Sequence, residues 1–178
     1  AESVKQPCSL NRLSNLIKST GTPCSPSTVM EYVRYLQESC LLISIDNYAS
    51  KFVEKETIKK HYFVDNGLLH LFINNPNTSL LENLCTITLY KKYGKGLYYY
   101  NRNIEVDFYV PDEGLAVQAS YQMSDEETIE REVKALVALH GLYPLKRAMI
   151  ITYEDEGEIV RDGLKIEIRP AWKWVLEG

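Results

Sequence analysis

The sequence predicts a mixed α/β protein with a helix-turn-helix-and-ribbon half before a layered α/β half. Three observations predict it. Residues 1–75 read as helix, turn, helix and two strands. Residues 76–178 read as a helix followed by strands and one further helix, in the order β-β-β-α-β. The chain has 178 residues of which 45% are apolar, enough to bury a core, and its 25% charged residues are average for a globular protein. No apolar run reaches ~18 residues, so nothing in the sequence predicts a membrane-spanning helix or a membrane partner.

Each element has a local reason. Leu10, Leu13, Leu16 and Ile17 recur at helical spacing behind Ser9, which can cap them. Gly21, Pro23 and Pro26 break that helix. Ser25-Pro26 starts a second one, with a capping serine and a proline at the first helical position. Val29, Met30, Val33 and Leu36 give it an apolar face. Leu41–Ile45 and Lys60–Val64 are strand-like and flank a polar tract. Helix, turn, helix and two-stranded ribbon is the order of a winged helix. Asp65-Asn66-Gly67 is a turn, and a short helix over Leu68–Ile73 follows. The polar run Asn74–Thr78 is the expected boundary between domains 1–75 and 76–178.

Beyond it a helix is expected from about Ser79 to Tyr93, ended by Gly94-Lys95-Gly96. Strands follow at Leu97–Tyr100, Ile104–Val110 and Leu115–Tyr121, separated by turn residues. Ser124-Asp125-Glu126-Glu127 reads as a capping box opening a helix with Ile129, Val133, Leu136 and Val137 on one face. Ala148–Thr152 and Leu164–Ile168 read as buried strands. Trp172 and Trp174 alternate, as a final strand or clasp over the core would.

Charge and cysteine content narrow the function. Net charge is −4; residues 1–75 carry 8 basic against 7 acidic side chains, and residues 76–178 carry 12 against 17. Such a chain is no general nucleic-acid binder, and contact with DNA needs a local patch. Cys8, Cys24, Cys40 and Cys85 form no CxxC pair, which argues against zinc. With no apolar signal core at the N-terminus, a cytoplasmic location and reduced core thiols are expected. The missing initiator Met points to a fragment or processed product.

The chemistry-bearing residues lie in the second half. Alternation along Ile104–Val110 puts Ile104, Val106 and Phe108 on one face and Glu105, Asp107 and Tyr109 on the other. Hairpin pairing then brings Asp107 toward Gln118, with Ser120 on the same face as Gln118. Glu82 interrupts the apolar run Leu80–Leu84. Oxygen donors from a helix and two strands form a pattern suited to Mg²⁺ or Mn²⁺, which could activate water against a phosphodiester. Glu82 equally suits the first turn of its helix.

The order Glu82, Glu105-Val106-Asp107-Phe108, Gln118-Ala119-Ser120 resembles the PD-(D/E)xK nuclease superfamily. Several longer strings resemble the C-terminal region of an archaeal and bacterial family of AAA-type ATPases. They are Tyr62–Leu69, Leu81–Leu84, Tyr99–Asn103, Glu105–Phe108 and the run from Gln118 to Glu132. The resemblance spans about residues 9 to 155. It implies a winged helix over 1–75 and a restriction-endonuclease-like mixed sheet flanked by helices over 76–178. It also implies an N-terminal P-loop ATPase as the natural partner. No G-x-x-x-x-G-K-[ST] loop is present, so ATP enters only through that absent part and this chain is expected to hydrolyse none.

On that resemblance Glu82, Asp107, Gln118 and Ser120 are the catalytic candidates, and Asp107, Gln118 and Glu82 the Mg²⁺ or Mn²⁺ ligands. Gln118 stands where an active enzyme has Glu, and Ser120 where it has Lys, so ion binding and transition-state charge stabilisation are both weakened. Lys134 on the next helix is a candidate for a relocated charge. In the winged-helix half, Arg34 on the second helix and Lys51, Lys55, Lys59 and Lys60 on the ribbon are the candidate DNA contacts, with a solvated hairpin as the plain alternative. Three readings follow: a divergent nuclease, a DNA-binding module without catalysis, and an interaction region serving its own ATPase domain.

Overall fold

The computed structural model describes residues 6–51, 54, 57–73 and 77–177. It is a mixed α/β structure built on one large sheet. The strands are β1 (Cys8–Ser9), β2 (Leu42–Asn47), β3 (Ile58–Phe63), β4 (Tyr98–Asn101), β5 (Glu105–Val110), β6 (Leu115–Ala119), β7 (Arg147–Thr152), β8 (Gly157–Arg161) and β9 (Leu164–Pro170). The helices are α1 (Leu10–Ser19), α2 (Pro26–Glu38), α3 (Asn66–His70), α4 (Asn77–Tyr93), α5 (Glu126–Leu142) and α6 (Ala171–Glu177). Among the described residues the sheet runs β1-β3-β2-β4-β5-β6-β7-β9-β8.

The helix starts follow from side-chain capping. The Ser9 hydroxyl accepts the Arg12 N–H, the Ser25 hydroxyl accepts the Thr28 N–H, and the Asp65 carboxylate accepts the Leu68 N–H. For α5 the cap is Asp125, not Ser124: its carboxylate takes the Thr128 N–H at 2.9 Å. Capping one residue later leaves Glu126 and Glu127 in the first turn, beside the positive end of the helix.

Helices cover both faces of the sheet. Under α4, Leu81, Cys85 and Leu89 pack with Tyr62, Phe108, Val117 and Ile151. Under α5, Val133, Leu136 and Leu139 pack with Val106, Ala116, Ile150 and Ile166. Residues on either side of position 75 share the sheet, because β2 pairs in parallel with β4 through Asp46↔Tyr98 and Asn47↔Tyr99. The Asn47 amide reinforces that junction: it donates to the Asn101 carbonyl at 2.6 Å and accepts the Asn101 N–H at 3.0 Å.

Three local features depart from the sequence expectation. Strict alternation fails in β5. Tyr98 pairs with Tyr109 and Tyr100 with Val106, so Tyr99 alone stands opposite Asp107 and Phe108. This bulge sends Phe108 and Val110 to the α4 side while Val106 and Tyr109 pack on the α5 side. Trp172 and Trp174 lie on helix α6, not on a strand, because Pro170 ends the ladder and a proline favours a helix start. Strand β8 was not expected: its two apolar residues, Ile159 and Val160, are adjacent and do not alternate, and it lies at the sheet edge with Val160 66% exposed.

Candidate functional site

Two neighbouring residues of α4 are buried although polar. Asn83 is 0% exposed. Its amide copies a peptide group at the end of β3: it accepts the Phe63 N–H at 2.9 Å, and donates to the Phe63 carbonyl at 2.9 Å and to the Asn66 side-chain oxygen at 2.8 Å. Glu82 turns the other way and accepts the Tyr62 hydroxyl proton at 2.7 Å. Both residues hold α4 against the hairpin of the first half.

On the other wall, β5 and β6 pair only from Phe108↔Val117 to Val110↔Leu115. Where the ladder stops, the Gln118 side chain replaces it. Its Oε1 accepts the Asp107 N–H at 2.7 Å and its Nε2 donates to the Glu105 carbonyl at 3.1 Å. The Asp107 Oδ2 then accepts the Ala119 N–H at 3.1 Å. These bonds orient the Asp107 carboxylate.

The two walls meet on Lys60 of β3. Its Nζ is 3.0 Å from Glu105 Oε1, 3.3 Å from Asp107 Oδ1 and 3.6 Å from Glu82 Oε1. It also lies 5.4 Å from the centre of the Tyr99 ring. Burial disfavours the Lys60 charge, but Asp107, Glu82 and Glu105 more than offset that and hold its pKa above the ordinary lysine value. Burial and the facing Glu82 carboxylate raise the Tyr62 phenol well above its usual range.

This cluster floors an open pocket of about 560 Å³, and Arg131, Glu132 and Lys134 of α5 line its rim. Arg131 Nη2 holds Glu132 at 2.7 Å, while burial raises the Glu132 carboxyl above its ordinary value. The pocket therefore presents carboxylates around one buried ammonium, with two further cations at the mouth.

Glu82, Asp107 and Gln118 thus come together as their spacing suggested, and Lys134 reaches the same pocket. Ser120 does not line it: its hydroxyl donates to the Gln122 carbonyl at 3.1 Å. Lys60 is the main correction. Expected to project from the ribbon toward a phosphate, it is 1% exposed among acids. Strand alternation carries the reason, since Lys60 stands two residues before the fully buried Tyr62 and shares its face. Of the other DNA candidates, Lys59 pairs with Asp46 at 3.0 Å, Arg34 pairs with Glu38 at 3.9 Å, and Lys51 is exposed. Lys55 lies outside the described residues.

A second surface was not anticipated. The apolar face of α2 is only partly covered, with Val29 buried but Met30 53% exposed. An apolar groove of about 600 Å³ runs between α1, α2, β3 and α3, lined by Leu13, Ile17, Tyr32, Val33, Leu36 and Phe72 among others. Of the 14 exposed large apolar side chains among the described residues, 8 lie between Leu16 and Phe72. In the same groove the His61 ring nitrogen shares a hydrogen bond with the Ser44 hydroxyl at 2.7 Å.

No family model and no solved structure matches the chain. The chain is 31% identical over 183 aligned positions to an uncharacterized protein of Methanocaldococcus jannaschii. The alignment takes in 94% of the chain but only 40% of that protein, so the chain spans about two fifths of the length of the curated relative it matches.

Proposed function

We propose that the chain is a winged-helix and nuclease-like region that acts by binding protein, without nuclease chemistry, within a longer AAA-type ATPase. The open apolar groove on α1, α2 and α3 carries this reading. Contiguous exposed apolar surface marks a protein contact, whereas a DNA-reading helix needs basic and polar side chains. Met30, Tyr32, Tyr35 and Leu36 are each at least 40% exposed on α2, and its Arg34 is paired with Glu38. The occupant proposed is the remainder of the longer polypeptide, of the kind the Methanocaldococcus relative carries outside the matched two fifths.

The pocket supports the absence of catalysis. Gln118 spends its amide on backbone groups, and Ser120 contributes no cation. Lys60 Nζ already occupies the space among the Glu82, Glu105 and Asp107 carboxylates, so the expected Mg²⁺ or Mn²⁺ ligands do not fit such an ion as they stand.

Sedimentation of the chain with the unmatched portion of the relative tests the contact. A complex is expected, and Tyr32→Asp with Phe72→Asp weakens it at least tenfold; no complex, or one indifferent to these changes, overturns the reading. Plasmid nicking tests the chemistry. With Mn²⁺ the wild type is expected to nick no faster than Asp107→Ala. Nicking confined to the wild type would restore the nuclease reading.

A further inference from the structure

The cluster under the pocket has the geometry of an ammonium site. Divalent ions take carboxylate oxygens at ~2.0–2.6 Å, whereas N–H···O bonds from an ammonium run ~2.7–3.2 Å. The three oxygens lie 3.0, 3.3 and 3.6 Å from Lys60 Nζ, ion-pair distances longer than those of a divalent ion, and Nζ donates a hydrogen bond to Asp107. Drawing them onto a divalent ion at that point means moving each inward. Two of the carboxylates are tethered where they are, Glu82 by the Tyr62 hydroxyl and Asp107 by the Ala119 N–H. The Gln118 oxygen faces the Asp107 N–H.

We propose that Lys60 is a built-in counter-cation that takes the place of a divalent metal ion among Glu82, Glu105 and Asp107. It is buried, charged and supplied by the chain itself, so the cluster needs no metal to be stable. It also latches the molecule: the cation sits on β3, before residue 75, and the carboxylates sit on α4 and β5, after it. A lone buried ammonium, or the buried Glu82 carboxylate left without it, would each be strongly unfavourable. This inference does not depend on what covers the apolar groove.

Thermal melts of the 178-residue chain in EDTA and in millimolar Mn²⁺, with Mn²⁺ uptake followed by electron paramagnetic resonance, test it. Wild type and Lys60→Arg are expected to melt at the same temperature in both conditions and to take up no Mn²⁺ at this cluster. Lys60→Met is expected to melt several degrees lower in EDTA and to recover at least half of that loss in Mn²⁺. Lys60→Met with Glu82→Gln, which removes a charge in compensation, is expected to regain stability in EDTA and gain less from Mn²⁺. If Lys60→Met does not fold in EDTA, folding of the double variant supports the same conclusion. Wild-type Mn²⁺ uptake that Asp107→Asn abolishes would overturn the proposal. So would a Lys60→Met protein that neither Mn²⁺ nor Glu82→Gln stabilises.

Discussion

At the scale of single residues, burial decides which titratable groups can change state. His61 sits partly buried in the apolar groove, and its pKa falls from 6.5 to about 4, first because burial disfavours the charged ring and then because Lys59 is close. Its sign is opposite to that of Lys60. Above pH 6.5 neither folded nor unfolded His61 binds a proton, and no penalty exists. Between pH 6.5 and about 4 the unfolded chain takes a proton that the folded one refuses, so stability is lost as pH falls. The loss amounts to at most about 3 kcal/mol and levels off below the folded value. Urea midpoints at about pH 7 and about pH 4.5 should fall further for wild type than for His61→Gln. Equal falls would mean the ring is protonated in the folded protein. Lys60, with a folded pKa above 10.5, contributes stability that persists through neutral pH and is lost only when alkali strips its proton.

At the scale of elements, polar side chains acting as backbone substitutes join pieces that no hydrophobic pattern joins. Gln118 does this between β5 and β6, Asn47 between β2 and β4, and Asn83 between α4 and β3. Asn83 is the most exposed to test because it has no solvent to fall back on. Asn83→Ala leaves the Phe63 N–H and C=O without this partner in a buried setting, and should cost about 3 kcal/mol in chemical denaturation. A cost near zero would mean that water enters and replaces the amide. The caps at Ser9 and Ser25 were legible because they act within three residues along the chain, whereas Asp65, expected in a turn before a helix at Leu68, caps a helix that starts at Asn66. The Asn83 and Asn47 bridges were not legible, because their partners lie 20 to 54 residues away.

At the scale of the whole molecule, the shared sheet couples the two halves. Cys8 and Cys24 are buried in the first half, and Trp174 packs into the core from the C-terminal end. Thiol labelling of Cys8 and Cys24 and tryptophan fluorescence therefore report separately on the two ends. In urea both signals should change at one midpoint. Asn47→Ala, which removes the two side-chain bonds that reinforce the β2–β4 pairing, should separate them, with the thiols exposed first. Separate midpoints in the wild type would mean that the halves unfold independently despite the common sheet.

The sequence by itself determined what is local and periodic. It placed most helices and strands of the described residues, the caps that start α1 and α2, and the approach of Asp107 to Gln118 across one hairpin. It also marked Glu82 as an acid in an apolar run, which requires a partner. Only the tertiary structure decided which partner. The bulge in β5 depends on its pairing with β4, and the carboxylates around Lys60 come from α4 and β5, so nothing near residue 60 in sequence names those partners. The open groove on α2 was hidden for the same reason. An apolar helix face predicts that something covers it, but whether this chain supplies the cover depends on where distant elements pack.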